Sequence, residues 1–303
     1  MKMFRNIENI LIKLEVLFNY PVVTKFSKKT FITNWVDNNN IIHADLKYFK
    51  KRFCNTRLLI VLTTFSRPDS CLRVITSVNN NIAYKNMNPE EVVFLVLNDK
   101  SQADYQAVKI QCRKIFGEQL IWLDSRQHHG KKYFWCVHQM AFLMAKAINP
   151  EMYLYLQDDI DFSEDLLVKL DQLWMLTEQD KKRRVIYLFS ENNDDYDING
   201  RWINFRREIH PSGPLRKTQW LDLQAFYCDL EFLKLLQFWV MPVSEKRWKF
   251  DSTLSSGVGM QITRRSFGKV NIYQCSPGLI THGYEESTMN PEARSKLSLD
   301  NRL

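Results

Sequence analysis

From Leu58 onward the chain alternates short unbroken apolar runs with segments whose apolar residues recur every three or four positions. Leu58-Leu59-Ile60-Val61-Leu62-Thr63 is continuous and β-branched, the pattern of a strand covered on both faces, as in a parallel sheet. Val92–Leu97, Gln119–Leu123, Met152–Leu156 and Arg184–Phe189 repeat it and predict four more strands. Between them, Ser66-Arg67-Pro68-Asp69 breaks the first run, and Leu72, Ile75, Val78 and Ile82 predict a helix. Ser101–Phe116 and Tyr133–Ile148 predict two further helices. Ser163 reads as the N-cap of another, which carries Leu166, Leu167, Leu170, Leu173 and Trp174 on one face. Asn38-Asn39-Asn40 and Asn79-Asn80-Asn81 read as loop or helix-end residues. Beyond residue 200 the alternation fades, which predicts a mixed sheet with long loops. The whole is an α/β pattern with a mostly parallel central sheet flanked by helices. In such sheets ligands bind outside the carboxyl ends of the strands. Polar residues cluster at those ends: Thr64, Ser66 and Arg67; Asn98 and Asp99; Asp124 to Lys132; Asp158 to Asp161; Glu191 to Asp197.

The segment before Leu58 is different. Ile7, Ile10, Leu11, Leu14, Leu17 and Phe18 recur at helical spacing over 6–18, which suits a helix packed on the main domain or one lying on a membrane surface. The net charge of the 303 residues is +8, and it sits here. Eleven basic and four acidic residues give 1–57 a charge of +7, leaving +1 for the other 246 residues. A basic balance invites a nucleic-acid reading, but a nearly neutral body offers little charge for one. Residues 1–57 therefore read as a basic amphipathic extension and 58–303 as the functional domain, with a first half over 58–200 and a second over 201–303.

The six cysteines are scattered without metal spacing, and most sit in apolar runs that suit buried reduced thiols. Glu8, Lys13 and Glu15 interrupt any signal-peptide pattern, and no apolar run approaches the ~18 residues of a membrane span. The expectation is a cytoplasmic protein with peripheral contact to the inner face of the membrane as an option through 1–57.

Four stretches carry candidate chemistry. In Leu156-Gln157-Asp158-Asp159-Ile160-Asp161 three carboxylates emerge from a buried strand, where like charges and desolvation raise the energy. A divalent cation relieves both, and hard oxygen donors suit Mg²⁺ or Mn²⁺; an acidic loop capping the next helix is the plainer explanation. Leu279-Ile280-Thr281-His282-Gly283 presents an imidazole in a polar loop, a context that fits a ligand. Ser66-Arg67 and His128-His129-Gly130-Lys131-Lys132 are rich in groups that face phosphates, although a solvated basic turn explains the second equally well. Asp251, among Trp248 and Phe250, fits either a general base of raised pKa or a helix cap.

In order, the run Leu58 to Thr64 with Arg67-Pro68, the strand ending Asn98-Asp99, Gln157-Asp158-Asp159, and Leu279-Ile-Thr-His282-Gly resemble the motifs of GT-A fold glycosyltransferases over residues 58–290. The chain looks like the bacterial enzymes that build capsule or lipopolysaccharide glycans. The resemblance implies a GT-A-like, Rossmann-type sheet with 58–200 binding the nucleotide and 201–303 the acceptor. It implies transfer from a nucleoside-diphosphate sugar, UDP-sugars favoured, to a glycan or glycolipid hydroxyl with the help of Mn²⁺ or Mg²⁺. By position, Thr64, Arg67, Asp99, Lys131, Lys132 and Asp158 would bind the donor. Asp159, Asp161 and His282 would hold the metal, and Asp251 would be the base of an inverting reaction. Gln157 departs from the Glu often found in the acidic motif, and the basic N-terminal segment is an addition. Two alternatives stand beside this reading. A sugar-nucleotide nucleotidyltransferase shares the plan but has a Gly-rich first loop, which Thr63-Thr64-Phe65-Ser66-Arg67-Pro68 lacks. A non-catalytic module binding an anionic polymer predicts a basic stripe that the near-neutral body does not supply.

Overall fold

A computed structural model describes residues 32, 35–37, 40–41, 46–129, 134–180, 182–189, 214–218, 221, 223–240, 259, 262–263, 265–266 and 268–283. The expected helix at 6–18, Lys131, Lys132 and Asp251 lie outside the described residues.

The architecture is α/β, around a ten-stranded sheet. Its centre is four parallel strands: β3 (Leu58–Thr64), β4 (Val92–Asn98), β5 (Leu120–Ser125) and β6 (Met152–Gln157). Every residue of β3 and β4 is buried, as their continuous apolar runs require. These strands lie in the order β5-β4-β3-β6. The chain therefore steps outward from β3 to β4 to β5, then returns to place β6 on the other flank of β3. The register is flush: Thr64 faces Asn98, and Thr63 faces Gln157. Three polar corners thus open along one edge.

Helices cover the faces. Helix α2 (Pro68–Tyr84) buries Cys71, Val74, Ile75, Val78 and Ile82 along one stripe. Helix α3 (Gln106–Phe116) links β4 to β5. Helix α4 (Trp135–Ile148), which carries the chain back across the sheet, is buried at eleven of its fourteen positions. It ends on Asn149 in the left-handed conformation at φ 62°, a stop that a chain with only nine glycines takes from asparagine. Helix α5 (Leu166–Leu176) follows the acidic loop.

The later strands are mixed, as the fading alternation predicts. Strand β10 (Phe226–Asp229) runs antiparallel between β6 and β8 (Arg183–Tyr187). Strand β11 (Asn271–Cys275) is parallel to β8 and antiparallel to the edge strand β9 (Leu215–Thr218). A separate ribbon pairs β7 (Ile160–Phe162) with β12 (Ile280–His282). On the opposite flank, β1 (Trp35–Asp37) pairs antiparallel with β5 and with β2 (Asn40–Ile41). The sheet thus takes in part of the segment before Leu58, and Trp35 is fully buried. Helix α1 (Lys47–Arg52) inserts Phe49 into the same core.

Three local expectations need correction. Asn79-Asn80-Asn81 do not end a helix; they lie inside α2. Asn81 is buried because its amide serves as a joint: Nδ2 donates to the carbonyls of Ser77 and Ser163, each at 3.0 Å, and Oδ1 accepts from the Leu167 N–H at 3.0 Å. It thereby caps α5, so Ser163 does not; the Ser163 hydroxyl bonds the Asp165 carboxylate instead. Helix α3 starts at Gln106, not Ser101, because Ser101 Oγ and Asp104 Oδ1 accept the N–H groups of Ala103 and Gln106. Such side-chain bonds hold the backbone in turns.

Gln139 is the corresponding joint within α4. Its Nε2 donates to Phe238 O at 2.8 Å, and its Oε1 accepts from Val240 N at 3.0 Å. Both backbone groups lose their partner when the amide is removed, and an orphaned buried group costs about 1–3 kcal/mol. Gln139→Ala is expected to lower the unfolding free energy by about 3 kcal/mol in urea titration, whereas Gln102→Ala at an exposed site changes it by less than about 0.5 kcal/mol.

Candidate active site

The polar corners that follow β3, β4 and β6 meet at the point where the strand order reverses, the usual place for a ligand crevice in such sheets. Of the residues the sequence singles out, the structure brings Thr64, Arg67, Asp158 and Asp159 into direct contact. Thr64 Oγ1 donates to Asp158 Oδ2 at 2.8 Å, and the Phe65 N–H donates to the same oxygen at 3.1 Å. The Arg67 Nη1 stands 3.5 Å from Asp158 Oδ1 and 3.2 Å from Asp159 Oδ2. All three charged groups are buried nearly to completion, with side-chain exposures of about 10% or less. One guanidinium thus faces two adjacent carboxylates.

Burial and the neighbouring carboxylate show in the proton affinity of Asp158. Desolvation, then the negative charge of Asp159, push its pKa up to about 7, against the opposing pull of the Thr64 hydrogen bond, Arg67 and the Phe65 N–H.

Asp99 lies at the adjoining corner. Its backbone N–H donates to Thr64 O at 3.0 Å. Its carboxylate accepts the His129 N–H at 3.0 Å, and lies 2.7 Å from His129 Nδ1 and 3.1 Å from His128 Nδ1. The His128 ring stacks on Phe65 at 4.4 Å, and the His129 ring stacks on Trp35 at 5.8 Å. The basic turn is thereby anchored at its start to Asp99, and β1 contributes to that anchorage.

The β7–β12 ribbon places His282 opposite Ile160, and the Gly283 N–H donates to Asp159 O at 2.8 Å. His282 thus enters the same neighbourhood as Asp159, with its ring 4.6 Å from that of Phe189. Asp161 is engaged elsewhere: its carboxylate pairs with Arg73 of α2 at 2.8 Å, half in solvent. The donors present, carboxylate oxygens of Asp158 and Asp159 with the imidazole of His282, match in kind what Mn²⁺ and Mg²⁺ take. Among the described residues no three His, Cys, Asp or Glu side chains gather closely enough to hold a metal ion. Arg67 supplies the counter-charge to the two aspartates as they stand.

Sequence reasoning missed Tyr105, Phe65 and Arg73. Tyr105 is buried just ahead of α3, and its hydroxyl lies 2.8 Å from Thr64 Oγ1 and accepts the Arg67 N–H at 2.9 Å. No local pattern marks it, because both its partners lie across the corner after β3. Arg73 was legible in principle: it stands on the α2 face opposite the apolar stripe, six residues after Arg67.

No family model matches the chain, and no curated protein matches it either. Solved structures do. A mannosyltransferase from Pyrobaculum calidifontis, in complex with GDP-Man and Mn²⁺, aligns with a TM-score of 0.52 at 12% identity, covering 93% of this chain and 70% of that one. Two structures of S. aureus TarS align with TM-scores of 0.46 at 13% and 10% identity, over 73% of this chain; the chain spans 60% and 36% of their lengths. The fold is that of the mannosyltransferase, a GT-A-like α/β plan, as the order of motifs implies.

The raised pKa of Asp158 has a consequence for stability. The folded chain holds this proton up to about pH 7, whereas an unfolded Asp releases it near 3.8. Between those values the folded state binds more protons, so the stabilisation is complete below about pH 4 and is lost as pH rises through about 7. At about 1.4 kcal/mol per tenfold change in proton affinity, the window holds about 4 kcal/mol. Urea titrations at pH 5 and 7 are expected to show wild type losing about 2 kcal/mol more than Asp158→Asn over this interval.

Proposed function

We propose that the chain is a divalent-metal-dependent glycosyltransferase that moves a sugar from a nucleoside-diphosphate sugar to a hydroxyl of a glycan or glycolipid. The observation that carries this reading is the buried Arg67–Asp158–Asp159 cluster at the switch point of a GT-A-like sheet. A diphosphate presents to such a site the negative charge that Arg67 attracts, and a cation offsets the aspartates.

In this reading Thr64, Arg67, Asp99 and Asp158 bind the donor, with Lys131 and Lys132 beside its diphosphate. Asp159 and His282 would hold the Mn²⁺ or Mg²⁺, with Asp161 as a further ligand. The cation, when bound, supplies Lewis-acid stabilisation of charge on the departing diphosphate. Asp251 accepts the proton of the acceptor hydroxyl as its oxygen bonds to the anomeric carbon, and the carbon–oxygen bond to the diphosphate breaks. The nucleoside diphosphate leaves with the electron pair, and the anomeric centre inverts. Both UDP- and GDP-sugars merit trial as donors: the sequence resemblance favours UDP, and the mannosyltransferase of the same fold binds GDP-Man.

The test is a panel of UDP-, GDP- and CMP-sugars with Mn²⁺ or Mg²⁺, read by release of nucleotide and by transfer. Turnover of one donor is expected, with its loss in Asp159→Ala at unchanged circular dichroism. A fall on the order of 10²–10⁴ in turnover is expected for Asp251→Asn. Binding of none of the three nucleotides, with no turnover, refutes the reading; full activity of Asp159→Ala refutes the metal assignment.

The place of work is a second part of the proposal. No described helix is long and apolar enough to cross a membrane. Lys47, Tyr48, Lys50 and Lys51 are exposed together on α1, and with the charge of 1–57 they suit peripheral attachment to anionic lipid on the cytoplasmic face. Wild type is expected to co-sediment with phosphatidylglycerol vesicles more than a chain lacking residues 1–31; equal co-sedimentation rejects the role of this segment.

A further inference from the structure

The corner between β3 and α2 is held from a direction the sequence does not announce. Ser66 lies in the left-handed region at φ 58°, where a residue other than glycine is uncommon and is kept by its surroundings. The next residue, Arg67, begins α2 without a side-chain cap. The Tyr105 hydroxyl touches both sides of this corner, and counting protons fixes its direction. The single hydroxyl proton of Thr64 goes to Asp158 Oδ2 at 2.8 Å. Thr64 Oγ1 is therefore the acceptor in its 2.8 Å contact with Tyr105, which donates its own proton there. The phenol oxygen keeps its lone pairs for the Arg67 N–H at 2.9 Å. The result is a directed chain from Arg67 N–H through Tyr105 and Thr64 to Asp158. The ring itself is buried and tilted against Trp122 at 6.0 Å, so it is not free to swing away.

We propose that Tyr105 is a positioning residue for donor binding: its hydroxyl clasps the β3–α2 corner so that the Arg67 guanidinium is held at the Asp158–Asp159 pair. The phenol does not reach the two aspartates itself; it acts through Thr64 and the Arg67 backbone. The inference rests on the donor-binding reading above and adds to it a residue from a different strand–helix connection.

Tyr105→Phe keeps the ring and its packing on Trp122 and removes only the hydroxyl. Isothermal titration with UDP and with GDP, each with Mn²⁺, is carried out on wild type, Tyr105→Phe, Arg67→Ala and the double variant. Tyr105→Phe is expected to weaken binding about tenfold in wild type and less than about twofold in the Arg67→Ala background. An equal loss in both backgrounds means that the hydroxyl acts on the fold at large and overturns the proposal, as does full affinity of Tyr105→Phe. A second readout needs no ligand: exchange of the Arg67 amide proton is expected to quicken about tenfold in Tyr105→Phe. Unchanged exchange overturns the clasp. If wild type binds neither UDP nor GDP while exchange at Arg67 responds, the donor reading falls and the clasp stands.

Discussion

Two carboxylates side by side at the sealed end of a buried strand are a costly arrangement, and the structure around them is organised by that cost. Asp158 and Asp159 follow β6 directly, so they are as deep as the sheet itself. One guanidinium faces both, and hydroxyl and amide donors take up the rest of Asp158. None of those groups is near Asp158 in sequence. They arrive because α4 carries the chain back over the sheet and sets β6 beside β3, in a register that ends the two strands together. The site is a consequence of strand order before it is a consequence of any motif.

The covering helices meet the sheet and its loops through buried amides as well as apolar surface. Asn81 and Gln139 each sit where a helix has to join a loop whose backbone groups would otherwise be orphaned. An amide carries donor and acceptor on one side chain, so it can satisfy a carbonyl and an N–H at once. A neutral joint of this kind avoids the desolvation that the acidic loop bears, and the ionic contacts of the interior are concentrated where the chemistry is proposed.

Much of this was legible in the sequence, for physical reasons that also mark where legibility ends. Strands β3 to β6 read directly because burial on both faces leaves no polar alternation, and the helices between them read from their stripes. The nearness of Arg67 to Asp158 followed only from a rule about strand ends, not from any local pattern. Strand β1 was invisible: three residues, one of them Trp35, in a segment whose charge drew attention elsewhere. Asn81 was misread because asparagine in a helix is unfavourable unless something distant repays it, and that partner, the start of α5, lies beyond β6. Tyr105 carried no signal for the same reason.

The β7–β12 ribbon sets a condition on how the protein is made. The residues of β7 are made by position 162, but their partner comes only with residues 280–282, more than a hundred residues later. Until those residues are made, Ile160–Phe162 lacks its ribbon partner and lies beside the carboxylates of Asp158 and Asp159. Charge beside an edge discourages pairing with foreign strands, so the same aspartates that strain the finished centre guard the unfinished one.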